Sequence, residues 1–435
     1  MPVSLRRVTP APVVAAPPFR TAHFRWIVCG LLFLITANNY LDRYIFSVLG
    51  PELIKVLHWT PKDYTDVVFW FQVAYSLSYI PSGWWLDHVG TRRGMAWLVA
   101  LWSAAAMVPA ALSSLVGFKF ARGFLGAAEP GLVPGSIKVV TEWFPRSERS
   151  LATGLYKAGT NLGAMFVPLM VPWLYFTFGW RATFLLTAAS GFVLWLCWLK
   201  FYQPPATSPH VSAAERAYID SDPIAPAQGK VSWRLLLRCR EMWGYTLIKF
   251  LTDAIWHWYG AMFPLFLARQ FGLSLKDFGL PLVVLYLIAD FGSVGGGWLA
   301  TFLIKRGWDV TRSRKLAMFA CCVAVLPAVY VPHTSSMWLA VIIVALAHAA
   351  HQGLTSNLFT TVSDMFPRAA VGTVIGIGGS AGQAGAAVMT LITGYVLATN
   401  GSFTVLFAVA GSVYLVAFGL FNLISPRYEP VRLEG

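Results

Sequence analysis

Twelve stretches of this chain are apolar over the roughly 20 residues a helix needs to cross a lipid bilayer, and no other feature constrains its fold as strongly. Their cores run over 26–48, 65–86, 94–113, 117–140, 151–175, 180–201, 242–268, 278–304, 314–332, 337–362, 371–397 and 402–424. Hydrocarbon offers no water to free backbone N–H and C=O groups, so such stretches are expected to be helices. The chain therefore reads as an all-α membrane protein. Charged residues are 12% of the sequence, about half of what a soluble domain carries. That composition excludes a disordered, collagen-like or disulfide-rich secreted chain. The five cysteines (Cys29, Cys197, Cys239, Cys321 and Cys322) show neither metal nor redox spacing, and four of them lie in apolar runs, where a cysteine reads as a small buried apolar residue.

The widest gap between spans divides the twelve into six plus six. Residues 26–202 form one predicted bundle and residues 241–424 the other, joined by a central loop, 203–240, that opens with Pro204, Pro205 and Pro209. Ser212 followed by Glu215 predicts a capping box that opens a short surface helix. Residues 1–25 hold five prolines and read as a disordered basic tail. Arg6-Arg7 matches the start of a twin-arginine signal, but Pro10, Pro12, Pro17 and Pro18 leave no apolar run behind it. Residues 425–435 form a second short tail.

The formal net charge is +14, and its distribution explains it. The tails, the central loop and every second connection carry 22 of the 33 lysines and arginines, against five (Lys55, Lys62, Arg181, Arg269 and Lys276) in the alternate connections. By the positive-inside rule both termini and the central loop are expected in the cytoplasm, and no nucleic-acid partner is needed to account for the charge.

Ionisable residues inside the spans are the candidates for chemistry, because a charge at mid-bilayer costs about 3 kcal/mol or more and is retained where it faces a polar pathway. The basic ones are Arg43, Lys119, Arg122, Lys138, Lys157 and Lys249; the acids are Asp42, Glu129, Asp253 and Asp290. Lys119 and Lys138 lie near span ends and are expected to snorkel. In the first span, Arg43 can attract an anion while Asp42 carries a proton, with a plain ion pair as the alternative. In the fourth, Arg122, Gly126 and Glu129 fall on one helical stripe. Gly126 admits a close neighbour there, and Pro130 is expected to bend the helix. An Arg122–Glu129 structural lock is the alternative.

The seventh span brings Lys249 and Asp253 one turn apart, close enough to neutralise each other, with Trp256 offering a flat face and His257 beside it. His348, His351, Gln352, Ser356 and Asn357 in the tenth offer hydrogen bonds to hydroxyl groups and lack the acid or cysteine a zinc site would need. Ser380 and Gln383 in the eleventh sit among glycines suited to close helix packing. Lys157 and Asn161 share a face of the fifth span.

Between the second and third spans the chain reads Gly83-Trp84-Trp85-Leu86-Asp87-His88-Val89-Gly90-Thr91-Arg92-Arg93. The spacing G-x-x-x-D-x-x-G-x-R-R resembles the signature loop of the major facilitator superfamily, a cytoplasmic latch in which Asp87 pairs or caps while Arg92 and Arg93 hold a tight loop. The matching loop from Gly297 to Lys315 keeps the basic residues and loses the acidic position. Asn39-Tyr40-x-Asp42-Arg43 and Arg122-Gly123-x-x-Gly126-x-x-Glu129 resemble the anion:cation symporter family. Lys249-Phe250-Leu251-Thr252-Asp253, Ala350-His351-Gln352-Gly353, Asn357-Leu358-Phe359 and Val362-Ser363-Asp364-Met365-Phe366-Pro367 resemble its hexuronate branch. The chain departs from that branch at Leu354-Thr355, where a tryptophan and a small polar residue are expected.

The resemblance implies twelve transmembrane helices in two six-helix halves. It also implies proton-coupled symport of a sugar acid, a hexuronate such as glucuronate or galacturonate, into the cytoplasm by alternating access. Arg43 and Arg122 would hold the carboxylate, Asp42 and Glu129 the coupling proton, and Tyr40, Tyr75, Asn161, Gln352 and Asn357 the hydroxyls, with Lys249 and Trp256 contributed by the second half. Beyond the proton no cofactor or metal is expected. The protein is expected to work as a monomer in a bacterial inner membrane. The same fold carrying an aldonate, dicarboxylate or aromatic acid is the near alternative. A polytopic membrane enzyme would need a nucleophile–base pair that the spans do not supply, and a non-transporting sensor would bind without flux.

Overall fold

The computed structural model describes residues 23–220 and 233–431. Most of the expected N-terminal tail, part of the central loop and the last four residues lie outside them. The helices are α1 Phe24–Val56, α2 Pro61–Val89, α3 Thr91–Met107, α4 Leu115–Ala128, α5 Leu132–Trp143, α6 Arg146–Phe201, α7 Ala213–Ile219 and α8 Trp233–Arg238 in the first part of the chain. They are followed by α9 Arg240–Phe271, α10 Gly279–Lys305, α11 Val310–Val325, α12 Met337–Met365, α13 Arg368–Thr399 and α14 Thr404–Ile424. The described residues contain no strand. α3 and α11 each continue into a 3-10 turn, at Val108–Ala111 and Leu326–His333.

The twelve expected spans map onto these helices with two corrections. The fourth span is two helices, α4 and α5, because Pro130 supplies no N–H and the chain turns at Glu129–Gly131 before α5 begins. The fifth and sixth are written through α6, which breaks only at Gly179. The backbone there (φ 81°, ψ 168°) is one that glycine alone adopts freely. Among the described residues, eight segments are individually long and apolar enough to cross a membrane, the double-length one inside α6 counted once. α2, α4/α5 and α9 are not among them, and α9 carries Lys249, Asp253 and His257 along its length. The polar residues that depress the hydropathy of α9 are candidates for function.

The helices close on one another through small residues. A Cβ on Gly159 or Gly163 of α6 would strike the carbonyl oxygens of Phe33 and Ala37 in α1, and one on Gly126 of α4 would strike that of Phe71 in α2. Without a hydrophobic driving force between helices in lipid, such close backbone contact is what holds them. The approach expected at Gly126 is thus made by α2.

Short polar devices fix the ends. Thr60 caps α2, exchanging hydrogen bonds with Asp63, and Pro61 opens the helix where its missing N–H costs nothing. In the central loop Ser212 caps α7 as expected, accepting from the Glu215 N–H at 3.1 Å. The Glu215 side chain, however, is buried and turned to α1, where it accepts from the backbone N–H of Arg25 (3.1 Å) and Phe24 (3.4 Å). A carboxylate at a helix N-terminus satisfies free N–H groups and the helix dipole together. Arg25 bridges Glu215 and Glu148 at 3.3 and 2.8 Å, so α7 is pinned to the first half. α1, α6 and α7 thus meet at one end of the molecule, the linker end.

Contacts between the halves concentrate at the opposite, far end. There Tyr64 donates to the Ala261 carbonyl (2.9 Å) and Thr390 to Gln72 (2.8 Å); midway along α2 and α13, Ser76 and Ser380 each donate to the other's carbonyl at 2.8 Å. One apolar core runs through the far end of the first half and the whole second half, whereas the linker end of the first half, from Val28 through Trp143 to Ile219, has its own core. The halves are joined at the far end and part towards the linker end.

Candidate substrate and proton site

α1 and the α4/α5 junction bring an arginine and a glutamate together at mid-molecule. Arg43 places Nε and Nη2 at 2.8 and 2.6 Å from one oxygen, Oε2, of Glu129. Glu129 is fully buried, and its other oxygen has no hydrogen-bond partner. The guanidinium is roofed by Tyr40 and Tyr75, 4.7 and 4.8 Å from the ring centroids, a geometry in which rings stabilise a desolvated cation. Arg122 packs against Phe71 and Phe46 (4.5 and 4.9 Å), and its Nε has no partner. The expected stripe on α4 is real, but the lock is not Arg122–Glu129. Seven residues of helix separate those two by about 10 Å along the axis, and Glu129 pairs with Arg43.

Asp42, one residue away, faces elsewhere. Its Oδ2 accepts from Asn38 at 2.7 Å, Asn38 accepts from Ser190 at 2.5 Å, and Oδ1 has no partner. Asp42 therefore does not pair with Arg43, as the turn of about 100° between consecutive helical residues requires. Unsatisfied buried carboxylate oxygens are rare. Among the described residues Asp42, Glu129 and Asp253 each leave one such oxygen without a hydrogen-bond partner.

The second half supplies a facing polar wall. Lys249 and Asp253 on α9 are paired at 2.6 Å, the neutralising arrangement that their spacing allowed. Asp253 Oδ1 lies 3.6 Å from His351 Nε2. Tyr414 donates to the Thr252 carbonyl at 3.2 Å and meets His351 Nδ1 at 3.0 Å. With the phenol proton committed, Nδ1 is the donor to Tyr414, and Nε2 accepts from Thr355 at 3.3 Å. Gln383 donates to His257 Nε2 at 2.9 Å.

A cavity of about 150 Å³ lies between these walls, lined by Tyr40, Arg43, Tyr75 and Tyr79 on one side and by Lys249, Asp253, His257, Phe359 and Gln383 on the other. Of the expected ligand contacts it brings together Tyr40, Arg43, Tyr75 and Lys249. The others stand outside its lining. Arg122 is behind Phe71. Trp256 stacks on His351, its centroid 5.0 Å away. Gln352 is half-buried on α12. Asn357 commits its amide hydrogens to the carbonyls of Gly296 and Gly353, both at 2.9 Å, and braces α10 against α12. Asn161 donates to Asp290, which the sequence left without a role; the pair joins the halves between α6 and α10. Tyr79 and Phe359 were not foreseen, although Tyr79 follows Tyr75 by one helical turn. Among the described residues no cluster could hold a metal ion.

At the linker end Gly90 takes a positive φ of 83° and turns the α2–α3 loop. Arg92 donates to the Leu199 carbonyl at 3.3 Å and its own carbonyl accepts from Trp198 at 3.0 Å, tying the loop to the end of α6. Arg93 lines a shallow groove beside Arg92. The side chain of Asp87 lies outside the described residues. In the second half, where Thr301 stands at the position of Asp87 and Asp309 instead caps α11, Arg314 pairs with Asp364 at the end of α12, 2.7 Å away.

Comparison with known proteins agrees with this architecture. The family model described as Major Facilitator Superfamily matches residues 32–388 and again 311–434. The chain is 32% identical to the hexuronate transporter of Escherichia coli (strain K12) over 391 residues, 88% of this chain and 90% of that one. It is 33% identical to the galacturonate transporter of Dickeya chrysanthemi over 291 residues, 66% of this chain and 84% of the other. It is 29% identical to the probable galactarate/D-glucarate transporter GarP of Escherichia coli (strain K12), covering 95% and 97%. Among solved structures, a D-xylose-proton symporter superposes with a TM-score of 0.72 at 12% identity, covering 94% of this chain and all of that one. An inward-facing bacterial homologue of the lysosomal transporter Spinster superposes with a TM-score of 0.71 at 17% identity, covering 93% and 98%. The chain belongs to the Major Facilitator Superfamily.

Proposed function

We propose that this protein carries a sugar acid, a hexuronate such as galacturonate or glucuronate, into the cytoplasm together with a proton. The observation that supports this most directly is Arg43 held by Glu129 at the wall of a cavity between the two halves. An arginine is the side chain best shaped to take a carboxylate in two parallel hydrogen bonds, and here a protein carboxylate already occupies it. Protonation of Glu129 releases the guanidinium to the substrate, and deprotonation reclaims it. Substrate and proton thereby bind together and leave together. Asp42 is the second protonatable group. Tyr40, Tyr75, His257 and Gln383 meet the hydroxyls around the ring. The relatives that transport hexuronates and galacturonate support the substrate class.

Alternating access follows from two six-helix halves rocking about a midplane site. With the termini and linker on the cytoplasmic side of a bacterial inner membrane, as the Lys/Arg distribution supports, the contacts at the far end close the periplasmic side and the state is inward-facing. One proton with one monoanion moves no net charge and draws about 1.4 kcal/mol per pH unit of gradient. A second proton adds about 2.3 kcal/mol per 100 mV. The chain works as a monomer and needs no metal or organic cofactor.

The test is uptake of labelled galacturonate and glucuronate into proteoliposomes, with and without an inward proton gradient, each competed against gluconate, galactonate, phthalate and tartrate. Gradient-driven uptake blocked by uronates alone is expected. Uptake of a different acid only would sink the hexuronate assignment.

A further inference from the structure

The second half holds a buried pair of acceptors that the mechanism above leaves idle. Asp253 lines the cavity, and one of its oxygens, Oδ2, is held by Lys249 at 2.6 Å. The other, Oδ1, has no hydrogen-bond partner. His351 on α12 stands outside the cavity lining and sets Nε2 3.6 Å from that oxygen. Both side chains are buried. Tyr414 spends its proton on the Thr252 carbonyl, so His351 donates to it from Nδ1, and Nε2 is left with a lone pair. Two acceptors therefore face each other out of reach of water, a costly arrangement that one proton would relieve. The indole of Trp256 marks the same place. It lies over the His351 ring, its plane tilted by 19° and its centroid 5.0 Å away, and an indole face stabilises a cation set over it.

We propose that the space between Asp253 Oδ1 and His351 Nε2 is a proton site in the second half, filled when substrate binds. It rests on the proton-coupled reading above and adds a site to it. The proton is taken from periplasmic water and given up to cytoplasmic water, and no other bond is made or broken. Carried on Nε2, it donates to Oδ1 and draws the 3.6 Å gap towards the roughly 2.8 Å of a charge-assisted bond. Asp253 then serves two cations, and its hold on Lys249 loosens. The wall opposite Arg43 turns from neutral to cationic, which favours an anion in the cavity. Each half thus has a carboxylate that grips a cation through one oxygen and keeps the other for a proton. The empty carrier still needs Glu129 to reclaim Arg43 before it returns, so the second site adds to Glu129 without replacing it.

The surroundings keep the site neutral until the proton arrives. Lys249 and His257 on α9 and His348 on α12 face His351. Tyr245 on α9, Tyr79 on α2 and Tyr414 on α14 face Asp253 as neutral phenols. α13 offers no ionisable group there, only Gly382, whose missing side chain makes room for Asp253, and the Gln383 amide. Arg43 faces the pair from α1 across the cavity. The fixed charges among these are Lys249 and Arg43, and each is matched by a carboxylate.

The experiment counts the protons taken up when galacturonate binds the purified protein in detergent, read by a pH indicator in weakly buffered solution at neutral pH. A proton that favours substrate must be taken up as substrate binds, because the coupling is reciprocal. Asp42→Asn with Glu129→Gln silences the first half, and about one proton per galacturonate is still expected. Adding His351→Gln should abolish that uptake, and adding Asp253→Asn in its place should do the same. In the wild-type background either change should lower the count by about one. Binding is followed separately by tryptophan fluorescence, which shows that each variant is folded. If the first-half double variant binds galacturonate with no proton uptake, the second site is refuted and symport through Glu129 stands. Uptake that survives both His351→Gln and Asp253→Asn places the proton elsewhere and refutes the site as well. If both changes abolish binding, the pair serves the substrate directly and the proton assignment falls. If the wild type binds no uronate, the sugar-acid reading fails and the site falls with it.

Discussion

Arg43 sets two nitrogens on the same oxygen of Glu129, at 2.6 and 2.8 Å, and leaves the other oxygen of that buried carboxylate without a partner. A bidentate pair would use both oxygens. In the proposed mechanism the one-sided grip leaves Oε1 as the seat of the coupling proton, and protonation there weakens the hold on Arg43.

The first prediction concerns pH. At low pH Glu129 takes a proton, Arg43 is freed and a carboxylate substrate binds; at high pH the Glu129 carboxylate competes for the same guanidinium. Apparent affinity for galacturonate should therefore fall as pH rises. Glu129→Gln should flatten that dependence and abolish gradient-driven accumulation while exchange of labelled for unlabelled substrate continues. Asp42→Asn should likewise lower gradient-driven uptake, by about a hundredfold if it is the relay. Full uptake by Asp42→Asn would remove Asp42 from the proton path.

The charges of this site were legible in the sequence because lipid penalises every one of them, so Asp42, Arg43, Arg122, Glu129, Lys249 and Asp253 stand out from an apolar background. The break at Pro130 and the close approach at Gly126 were legible for local reasons, a missing N–H and a missing side chain. Partnerships were harder. Glu129 pairs across 86 positions with Arg43, and Asn161 across 129 positions with Asp290; helical periodicity reports only on neighbours within a turn or two. Asn357 looked like a ligand residue because its type suits hydroxyls, yet the same amide suits the backbone carbonyls that closely packed helices expose.

Lys249 and Asp253 form a second testable pair. Both are buried, at 4% and 8% exposure, so removing one partner strands the other charge. Lys249→Met alone should destabilise the protein by about 3 kcal/mol, read as a lower thermal midpoint in detergent. The double variant Lys249→Met, Asp253→Leu should recover most of that stability and still fail to transport. A double variant as unstable as the single one would mean that the pair contributes more than mutual neutralisation.

Ser76 and Ser380 meet midway along α2 and α13, their hydroxyl oxygens 3.4 Å apart. With the native cysteines replaced, Ser76→Cys, Ser380→Cys should form a disulfide under mild oxidation. If the halves must separate here to admit substrate from the far side, oxidation should cut uptake to background and reducing agent should restore it. Uptake unchanged by a fully formed disulfide would place the rocking motion elsewhere.

The glycines of α6 give a prediction of opposite signs on one helix. Gly163 lies against the Ala37 carbonyl, so the methyl of Gly163→Ala has no space and must push α1 away; overpacking of this kind costs about 1–3 kcal/mol. Gly154, nine residues earlier, is exposed and has nothing within 4 Å of its would-be Cβ. There alanine only removes the backbone entropy that glycine brings to a helix, a gain of about 1 kcal/mol. Thermal midpoints in one detergent should fall for Gly163→Ala and hold or rise for Gly154→Ala. Equal effects at the two positions would mean that α1 and α6 are not held by backbone contact, and the account of how the first half closes would have to change.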